Sequence, residues 1–491
     1  MTPAAKSAFA FDNTYARELD GFFVPWQGDA ATAPRLVRLN DALAEDLGLD
    51  AAALNSPEGA AIFAGSQAPD GASPLAMAYA GHQFGGFSPQ LGDGRAILMG
   101  EVIDKTGARR DIHLKGSGRT PFSRGGDGKA AIGPVLREYL VGEAMHALGV
   151  PSTRALAAVL TGDMVLREQG PLPGAVLARV ASSHLRVGTF EYFAARRETA
   201  KLGQLVDYAL RRHYPDLAGA PNPALALFGA VRDRQARLIA KWMGLGFVHG
   251  VMNTDNMTIS GETIDYGPCA FVDAYDPAAV YSSIDHQGRY AYHNQPVIAQ
   301  WNLARLAEAL LAVIHPDSDK AIALVVPELE AFMPAYTAAF NDVMRGKLGL
   351  MGAQDADPDL VQGLLDAMAK GGADFTRTFR QLAADLRDGG QRTKALFSDA
   401  AAFEAWVPQW RARLGDPVAA AEAMDRVNPI YIPRNHLVEE ALEAATTDAD
   451  FGPFEELLSV LTQPFAPRDG AERYALPAPA GFGPYTTFCG T

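Results

Sequence analysis

The stretch from residue 246 to residue 267 constrains the fold more than any other part of the chain. It contains, in order, a polar run, a Ser-Gly pair and an acidic turn: His249-Gly250-Val251-Met252-Asn253-Thr254-Asp255-Asn256, Ser260-Gly261 and Asp265-Tyr266-Gly267. Apolar residues at helical spacing predict a long helix over 223–245, which Gly246 ends. The Ser-Gly pair predicts a hairpin of two short strands before the acidic turn. A long helix, a loop, a hairpin and a metal-binding turn are therefore expected to follow one another here.

This order matches the protein-kinase signature, in which an Asp-x-x-x-x-Asn catalytic loop is followed by an Asp-Phe-Gly turn. His249, Asn256 and the turn at Asp265 correspond to that signature, but Val251 stands where a kinase keeps its base. Asp255 is the carboxylate that could replace the base if it points at the nucleophile; otherwise it caps a helix or supports the metal from outside. We interpret His249 as a residue that braces the loop backbone.

A Gly-rich turn followed by two strands predicts one wall of a nucleotide site. Gly92-Asp93-Gly94-Arg95 precedes predicted strands over 96–102 and 110–115, and the second strand ends at Lys115. Glycines leave backbone N–H groups open to phosphates, and a lysine can reach in beside them. Taken alone, the segment fits a surface hairpin with a solvated lysine more readily, because Gly-Asp-Gly is a weak motif.

The next two segments extend this wall. Residues 116–129 are predicted to be a functional loop, because they include too few apolar side chains to fold alone. A helix predicted over 134–149 carries Glu138 and Glu143. Either glutamate could pair with Lys115, as in kinases, or face solvent.

Two arginines lie near the end of the predicted sheet. Strands over 155–160 and 174–180 complete a small antiparallel sheet, and the second strand carries Arg179, with Arg186 shortly after it. An arginine in an apolar strand is either an edge residue or an anion ligand, and the pair leaves both interpretations open.

The predicted fold class is α+β, and the rest of the chain is mostly helical. Residues 35–48 are predicted to form a short helix, 295–314 a core helix and 330–460 further helices, before an irregular tail from Gln463. We divide the chain into an N-terminal extension (1–80), a kinase-like N-lobe with the Gly-rich nucleotide loop (81–185), a kinase-like C-lobe with the catalytic and metal loops (186–325), and a helical C-terminal extension with the tail (326–491).

Bulk properties limit the partners. The 491 residues are too many for one ordinary core, and the net charge of −14 argues against binding nucleic acid or anionic membranes. We find no apolar run near the roughly 18 residues of a membrane span and no targeting pattern. Two cysteines, Cys269 and Cys489, do not make a disulfide scaffold. We therefore expect a cytoplasmic monomer that binds neither nucleic acid nor membrane.

The side chains around the loop suit phosphoryl or nucleotidyl transfer. Asn256 and Asp265 offer oxygen ligands, which favour Mg²⁺ or Mn²⁺ over a soft metal. Positive charge for phosphates comes from Lys115, Arg179 and Arg186. His249 has no neighbours at the ligand spacing of a zinc site, and the chain lacks the Gly-x-Ser-x-Gly motif of hydrolases.

Several longer motifs together resemble one family, the selenoprotein O (SelO) family of pseudokinases, in its Cys-containing bacterial form. These motifs are His82-Gln83-Phe84-Gly85, Gln90-Leu91-Gly92-Asp93-Gly94-Arg95, Leu114-Lys115-Gly116-Ser117-Gly118-Arg119, the loop from His249 to Asn256, Asp265-Tyr266-Gly267-Pro268, and Asn428-Pro429 with Arg434-Asn435. They occur in the family's order, and the resemblance runs from about Phe11 to the C-terminus.

The resemblance implies a bilobal protein-kinase-like fold that transfers AMP from ATP to protein hydroxyls, with the nucleotide inverted relative to a kinase. It implies that Asp255 is the base, that Asn256 and Asp265 bind Mg²⁺ or Mn²⁺, and that Glu138 pairs with Lys115. The other residues that it implies at the nucleotide are Gly92, Gly94, Arg95, Asp127, Gly128, Arg179 and Arg186. The partners would be ATP and proteins that bear Ser, Thr or Tyr hydroxyls.

The family's redox position is Cys489 here, and Gly490-Thr491 replaces the commoner Ser-Ser ending. The other cysteine, Cys269, lies two residues after Gly267. We hypothesise a reversible Cys269–Cys489 disulfide that ties the tail over the metal loop, although two unrelated thiols fit equally well.

Three alternatives remain open from the sequence. The chain could be a phosphotransferase that moves the γ-phosphate, a uridylyltransferase that uses UTP and Mn²⁺, or a pseudokinase that binds nucleotide and acts as a scaffold. The sequence does not identify the protein substrates.

Overall fold

A computed structural model gives the architecture of the chain and describes residues 8–487. Its strands are β1 (Phe23–Pro25), β2 (Arg35–Leu39), β3 (Leu75–Met77), β4 (Gly81–Gln83), β5 (Gly86–Ser88), β6 (Ala96–Ile103), β7 (Arg109–Lys115), β8 (Ala130–Ala131), β9 (Arg154–Arg167), β10 (Gly170–Ala181), β11 (Phe247–Val248) and β12 (Ala270–Phe271). Its helices are α1 (Thr14–Glu18), α2 (Asp41–Asp46), α3 (Ala51–Leu54), α4 (Pro57–Phe63), α5 (Ile132–Ala147), α6 (Val187–Ala195), α7 (Thr199–His213), α8 (Pro223–Leu245), α9 (Gln295–Ile314), α10 (Ser318–Glu330), α11 (Phe332–Lys347), α12 (Asp357–Gly371), α13 (Phe375–Asp388), α14 (Ala401–Arg413), α15 (Pro417–Asp425), α16 (Asn435–Glu443) and α17 (Gly452–Leu461).

The first half of the chain builds an antiparallel sheet. Within the described residues this sheet has eight strands in the order β1-β3-β6-β7-β10-β9-β2, with β8 beside β10. The predicted hairpins β6–β7 and β9–β10 are confirmed. Apolar side chains of the sheet, such as Ile112 and Leu114, pack against α2 to α4, and α5 packs with α16 and α17. The sheet therefore has a hydrophobic layer on both sides.

The predicted parts 1–80 and 81–185 share this one sheet. Strand β1 pairs with β3, β3 pairs with β6, and β2 pairs with β9. The boundaries that we drew between the parts stay predictions.

The second half is helical and is organised around α8. This helix begins after Asn222, whose side chain accepts the N–H of Leu225, and ends at Gly246 in the left-handed conformation with φ of +70°. Helix α9 packs beside α8 through buried residues such as Leu303 and Leu310. The predicted helices over 223–245 and 295–314 are confirmed with these bounds. The end of α8 fixes where the following loop starts.

Two local predictions were wrong. Residues 35–48 were predicted to be one helix, but Arg35–Leu39 is strand β2, paired with β9, and the helix is only Asp41–Asp46. Leucines at positions 36 and 39 suit a helix as well as a half-buried strand, and a partner more than a hundred residues away decides between them.

The hairpin predicted between residues 257 and 267 is also absent from the described structure. Instead Thr258 Oγ1 donates to the Glu262 carbonyl and accepts its N–H, which closes a tight turn. The flanking residues form single bridges, Thr258 to Arg186 and Thr263 to Ser152, and the strands that pair nearby are β11 and β12. Neighbouring segments therefore supply the backbone partners that the hairpin would have used.

Two helical stretches are long and apolar enough to cross a membrane, Tyr292–Ile314 and Ser318–Lys347, by length and composition alone. This corrects our expectation that no such stretch exists. The first is half buried in the core of the protein. The second contains two helices, α10 and α11, which meet at Ala331. Core helices pass the same test, so these stretches are weak evidence for a membrane.

Candidate active site

A cleft of about 460 Å³ lies where the sheet meets the helical half. Every residue that we predicted at the nucleotide, the base or the metal lines it: Gly92, Gly94, Arg95, Lys115, Asp127, Gly128, Arg179, Arg186, Asp255, Asn256 and Asp265. Glu138 lies directly behind this wall. The structure thus brings the predicted set together, and the individual roles stay predictions.

Asp265 is the centre of a cluster of charges. Its Oδ1 accepts hydrogen bonds from Lys115 Nζ and from Arg179 NH1, both at 2.6 Å, and its Oδ2 accepts one from Arg186 NH1 at 3.0 Å. Its backbone has φ of +62°, which is uncommon for a residue other than glycine. Burial opposes ionisation of this carboxyl, but Arg179, Lys115 and Arg186 outweigh it and hold its pKa well below the usual range. Asp265 is therefore a carboxylate in this structure.

Of the two candidate glutamates on α5, Glu138 faces the site. Its carboxylate accepts from Lys115 Nζ at 2.6 Å and from Arg179 NH1 at 3.0 Å. The Glu143 carboxylate instead accepts hydrogen bonds from the Arg154 guanidinium and the Asn40 side-chain amide, on another face of the helix. Burial works against ionisation of Glu138, but Lys115 and Arg179 keep its pKa below the usual value.

Asp255 is a buried carboxylate on the floor of the cleft. Its Oδ2 accepts from Gln83 Nε2 at 3.2 Å, whereas its Oδ1 has no hydrogen-bond partner among the described residues. Burial raises the pKa of this carboxyl to about 6, although the Arg186 guanidinium acts in the opposite direction. A buried acceptor without a partner is unfavourable unless something else binds it. Oδ1 is therefore an unsatisfied acceptor that has no access to solvent in this structure.

The catalytic loop is held by its own backbone contacts. His249 Nε2 donates to the Ile264 carbonyl at 2.9 Å, as expected for a residue that braces the loop, and burial lowers its pKa so that the ring is neutral. Asn256 Nδ2 donates to the Val251 carbonyl at 3.0 Å. This contact uses the amide nitrogen of Asn256 and leaves its oxygen for another partner.

The donors at the cleft fit a hard divalent cation. Residues 8–487 contain no group of three or more His, Cys, Asp or Glu side chains arranged to hold a metal. The Asn256 amide oxygen and the Asp265 carboxylate are oxygen donors, and Asp255 Oδ1 is unpartnered nearby. Two protein oxygens completed by phosphate and water are typical of Mg²⁺ sites, so these residues suit a metal that arrives with a nucleotide.

The Gly-rich turn is shaped by close packing. Gly92 has φ of +69°, and a Cβ at this position would lie 2.3 Å from Cγ of Phe122. Gly128 has φ of +69°, and its Cβ would lie 2.1 Å from the Gly118 carbonyl oxygen. Only glycine fits at either position. Asp127, at the outer end of the cleft, pairs with Arg167 at 2.8 Å.

Sequence reasoning missed a buried bridge between the Gly-rich turn and Arg179. His113 Nε2 lies 3.1 Å from Asp93 Oδ2, and its Nδ1 accepts from Arg179 Nε at 3.3 Å. Burial lowers the pKa of His113, so the ring is neutral; since Nδ1 accepts, Nε2 carries the proton and donates to Asp93. The available signal was that His113 lies on the same strand face as Lys115.

The structure describes one of the two cysteines, Cys269. Among the described residues Cys269 is a free thiol; it is fully buried, and burial raises its pKa to about 12. Cys489 lies outside the described residues. The described chain ends at Thr487, whose N–H donates to the Tyr281 carbonyl at 2.7 Å and whose carbonyl accepts the N–H of Ser283 at 2.9 Å.

Comparison with known proteins shows close relatives along the whole chain. The family model described as Protein adenylyltransferase SelO matches residues 6–462. A protein nucleotidyltransferase YdiU of Cereibacter sphaeroides (strain KD131 / KCTC 12085) is 60% identical over 484 residues, which cover 98% of this chain and 100% of the relative. A YdiU of Rhizobium leguminosarum bv. trifolii (strain WSM2304) is 57% identical over 493 residues, covering 99% and 98%. A YdiU of Pseudarthrobacter chlorophenolicus is 54% identical over 497 residues, covering 100% of both. These matches confirm the resemblance, and the chain belongs to the SelO family of protein adenylyltransferases and is a nucleotidyltransferase.

Proposed function

We propose that this nucleotidyltransferase moves AMP from ATP to Ser, Thr or Tyr hydroxyls of other proteins. One observation carries the proposal: the Asp255 carboxylate, whose buried Oδ1 has no partner among residues 8–487, lines the same cleft as three cationic side chains, while Val251 stands at the position of a kinase base. A base beside phosphate-binding cations is what transfer to a hydroxyl requires.

In the proposed step the acceptor oxygen attacks the α-phosphorus, the bond from that phosphorus to the bridging oxygen breaks, and pyrophosphate leaves. The Asp255 carboxylate takes the hydroxyl proton. The released and transferred phosphates are neutralised by Lys115, Arg179 and Arg186. Mg²⁺ or Mn²⁺, held by Asn256 and Asp265, would supply further charge to the phosphate oxygens.

We propose further that the molecule is a bilobal, kinase-like fold that binds ATP inverted relative to a kinase. The support is the order of its elements: a Gly-rich turn, the β7 lysine paired with Glu138 on α5, and a loop with Asn256 followed by the Asp265 turn. The inversion rests on the family resemblance. The expected cytoplasmic location and monomeric state stay predictions.

Labelled nucleotides test the function. The protein is incubated with metal, a cytosolic extract, and ATP labelled at either the α- or the γ-phosphate. Protein-bound label from the α-position alone supports the proposal, whereas label from the γ-position alone indicates a kinase, and no label with intact nucleotide binding indicates a scaffold. A parallel arm with UTP and Mn²⁺ tests uridylyl transfer, since the names of the related nucleotidyltransferases do not specify the nucleotide.

We also propose a reversible Cys269–Cys489 disulfide. The support is that Thr487, two residues before Cys489, is bound to residues 281–283, and that Tyr485 and Cys269 both lie close enough to Arg137 to interact with its charge. Non-reducing peptide mapping of oxidised protein should find the linked pair, and a Cys269→Ser variant should lack it. Oxidised wild-type protein without that linked peptide would reject the disulfide.

A further inference from the structure

The hairpin β4–β5 lies directly on the catalytic loop and is anchored there at alternate residues, His82 in β4 and Phe84 in the turn that follows it. The N–H of His82 donates to Thr254 Oγ1 at 2.7 Å, and the N–H of Phe84 donates to Asn253 Oδ1 at 3.1 Å. The residue between them, Gln83, sends its side chain to Asp255 and lines the cleft. One backbone hydrogen bond on each side of Gln83 thus fixes the position from which its side chain reaches Asp255.

The two anchors are themselves held by buried partners. Glu191 Oε1 lies 2.5 Å from His82 Nδ1, and its Oε2 accepts from Thr254 Oγ1 at 2.5 Å. The Tyr290 hydroxyl donates to Asn253 Oδ1 at 2.6 Å. One glutamate therefore ties strand β4 and the catalytic loop to each other.

Phe84 adopts an unusual backbone conformation in this arrangement. Its φ is +51°, a conformation that bulky residues rarely adopt, and its N–H is held by Asn253 and by the Tyr290 hydroxyl. Such conformations concentrate at functional sites, where the surroundings enforce them. The ring of Phe84 is 37% exposed, so burial of the ring does not account for the strain.

Close packing shows that the strand is fitted to the carboxylate. A Cβ on Gly81 would lie 2.6 Å from Asp255 Oδ1, so only glycine lets β4 approach it. Just before the strand, a Cβ on Gly188 would lie 2.1 Å from the Ala80 carbonyl oxygen and 3.5 Å from Asp255 Cα. The carboxylate is therefore enclosed by backbone near Oδ1 and by the Gln83 amide at Oδ2.

We propose that Gln83 is a positioning residue for nucleotide transfer: its amide holds Asp255 Oδ2 and thereby fixes the orientation of the Asp255 carboxylate beside the cleft. The inference rests on the proposed role of Asp255 as the base. Gln83 itself makes and breaks no bond. Its amide fixes the orientation of a carboxylate that has no other side-chain hydrogen bond among the described residues.

A double-mutant cycle tests the proposal. Gln83→Leu removes the amide at similar size, Gln83→Glu replaces the donor with a second carboxylate, and Asp255→Asn removes the base. Transfer from ATP labelled at the α-phosphate to proteins of a cytosolic extract gives the rate, with long single-turnover incubations for residual activity. The affinity for a fluorescent ATP analogue is measured separately, and Gln90→Leu, an exposed glutamine just beyond the hairpin, is the matched control.

We expect both Gln83 variants to lower the transfer rate by about 10- to 100-fold, with nucleotide affinity within about 3-fold of wild type and Gln90→Leu unchanged. In the Asp255→Asn background, Gln83→Leu should lower the rate by less than about 2-fold, because the carboxylate it orients is gone. An equal loss in both backgrounds, a wild-type rate in both Gln83 variants, or a loss confined to nucleotide affinity would overturn the proposal. A wild-type protein that transfers nothing from the α-position, or an Asp255→Asn variant with full activity, would reject the underlying function instead.

Discussion

Replacing Asp265 should affect stability and nucleotide binding in opposite directions. The cluster around it contains three cations, Lys115, Arg179 and Arg186, and three carboxylates, Asp93, Glu138 and Asp265, for a net charge of zero. Asp265→Asn or Asp265→Ala raises this charge to +1 in a site where the Arg179 and Arg186 side chains are 2% and 3% exposed. One positive charge is thereby left uncompensated in a poorly solvated site.

Removing one partner of a buried ion pair costs about 3 to 5 kcal/mol. Glu138 still pairs with Lys115 and Arg179, so we expect the low end, about 3 kcal/mol, for Asp265→Ala. At about 2 to 4 °C per kcal/mol this lowers Tm by about 6 to 12 °C. Asp265→Asn keeps an acceptor oxygen and should lose about half as much.

Differential scanning fluorimetry with and without ATP, in EDTA to exclude metals, measures both effects. ATP should raise the Tm of Asp265→Asn more than that of wild type, because the uncompensated cation can then pair with phosphate. The pKa of Asp265 is depressed, so its stabilising contribution is present above the unfolded pKa of about 4 and is lost only as pH falls through the lower folded value. The Tm difference should therefore be constant from pH 7 to pH 9, above the pKa of about 6 of Asp255, whose titration Asp265 influences. A wild-type Tm for Asp265→Ala, or a difference that changes across this range, would refute this account of the cluster.

Three further changes have separate readouts. His113→Phe should weaken ATP binding by about 10-fold because Arg179 loses a hydrogen bond, whereas His113→Gln, which can both accept and donate, should stay within about 3-fold by calorimetry; equal losses would argue against the bridge. Burial lowers the pKa of Lys347 to about 7, so the folded state holds fewer protons than the unfolded state between about pH 7 and pH 10, and wild-type stability rises with pH there. Lys347→Met should therefore stabilise the protein at pH 6.5, by roughly 5 kcal/mol at most, when the free energy of unfolding is measured in urea. The gain should vanish near pH 10. A gain that does not depend on pH would show that the lowered pKa of Lys347 is not its cause. Gly81→Ala should lower transfer by about 10-fold or more, since its methyl group would displace Asp255, and an unchanged rate would contradict that packing.

Elements with local signals could be predicted from the sequence. The hairpin that ends at Lys115 follows from alternation around an Asp-Gly turn, and α8 follows from its apolar stripe and its terminal glycine. The set of residues in the cleft was also accessible, through the motifs. Even so, only the packing of the helix shows which of Glu138 and Glu143 pairs with Lys115, because residues five apart lie on different faces of a helix.

The misses share a cause, which is that the deciding partner is distant in the chain. Strand β2 forms because it pairs with β9, and nothing in the sequence of residues 35–39 indicates that partner. His113 is linked to Arg179 across 66 positions, and Gln83 to Asp255 across 172. Buried polar contacts of this kind carry no periodicity, so a sequence pattern does not reveal them.

The chemical identity of the group left on the acceptor is the most direct test of the proposed AMP transfer. Wild-type protein and the Asp265→Asn variant are each incubated with ATP and UTP at equal concentrations, with metal and a cytosolic extract. The modified peptides are then sequenced by tandem mass spectrometry. We expect AMP in phosphoester linkage to Ser, Thr or Tyr with wild-type protein, and no adduct with Asp265→Asn. Phosphate or UMP on those hydroxyls, or AMP at wild-type levels with the variant, would contradict it.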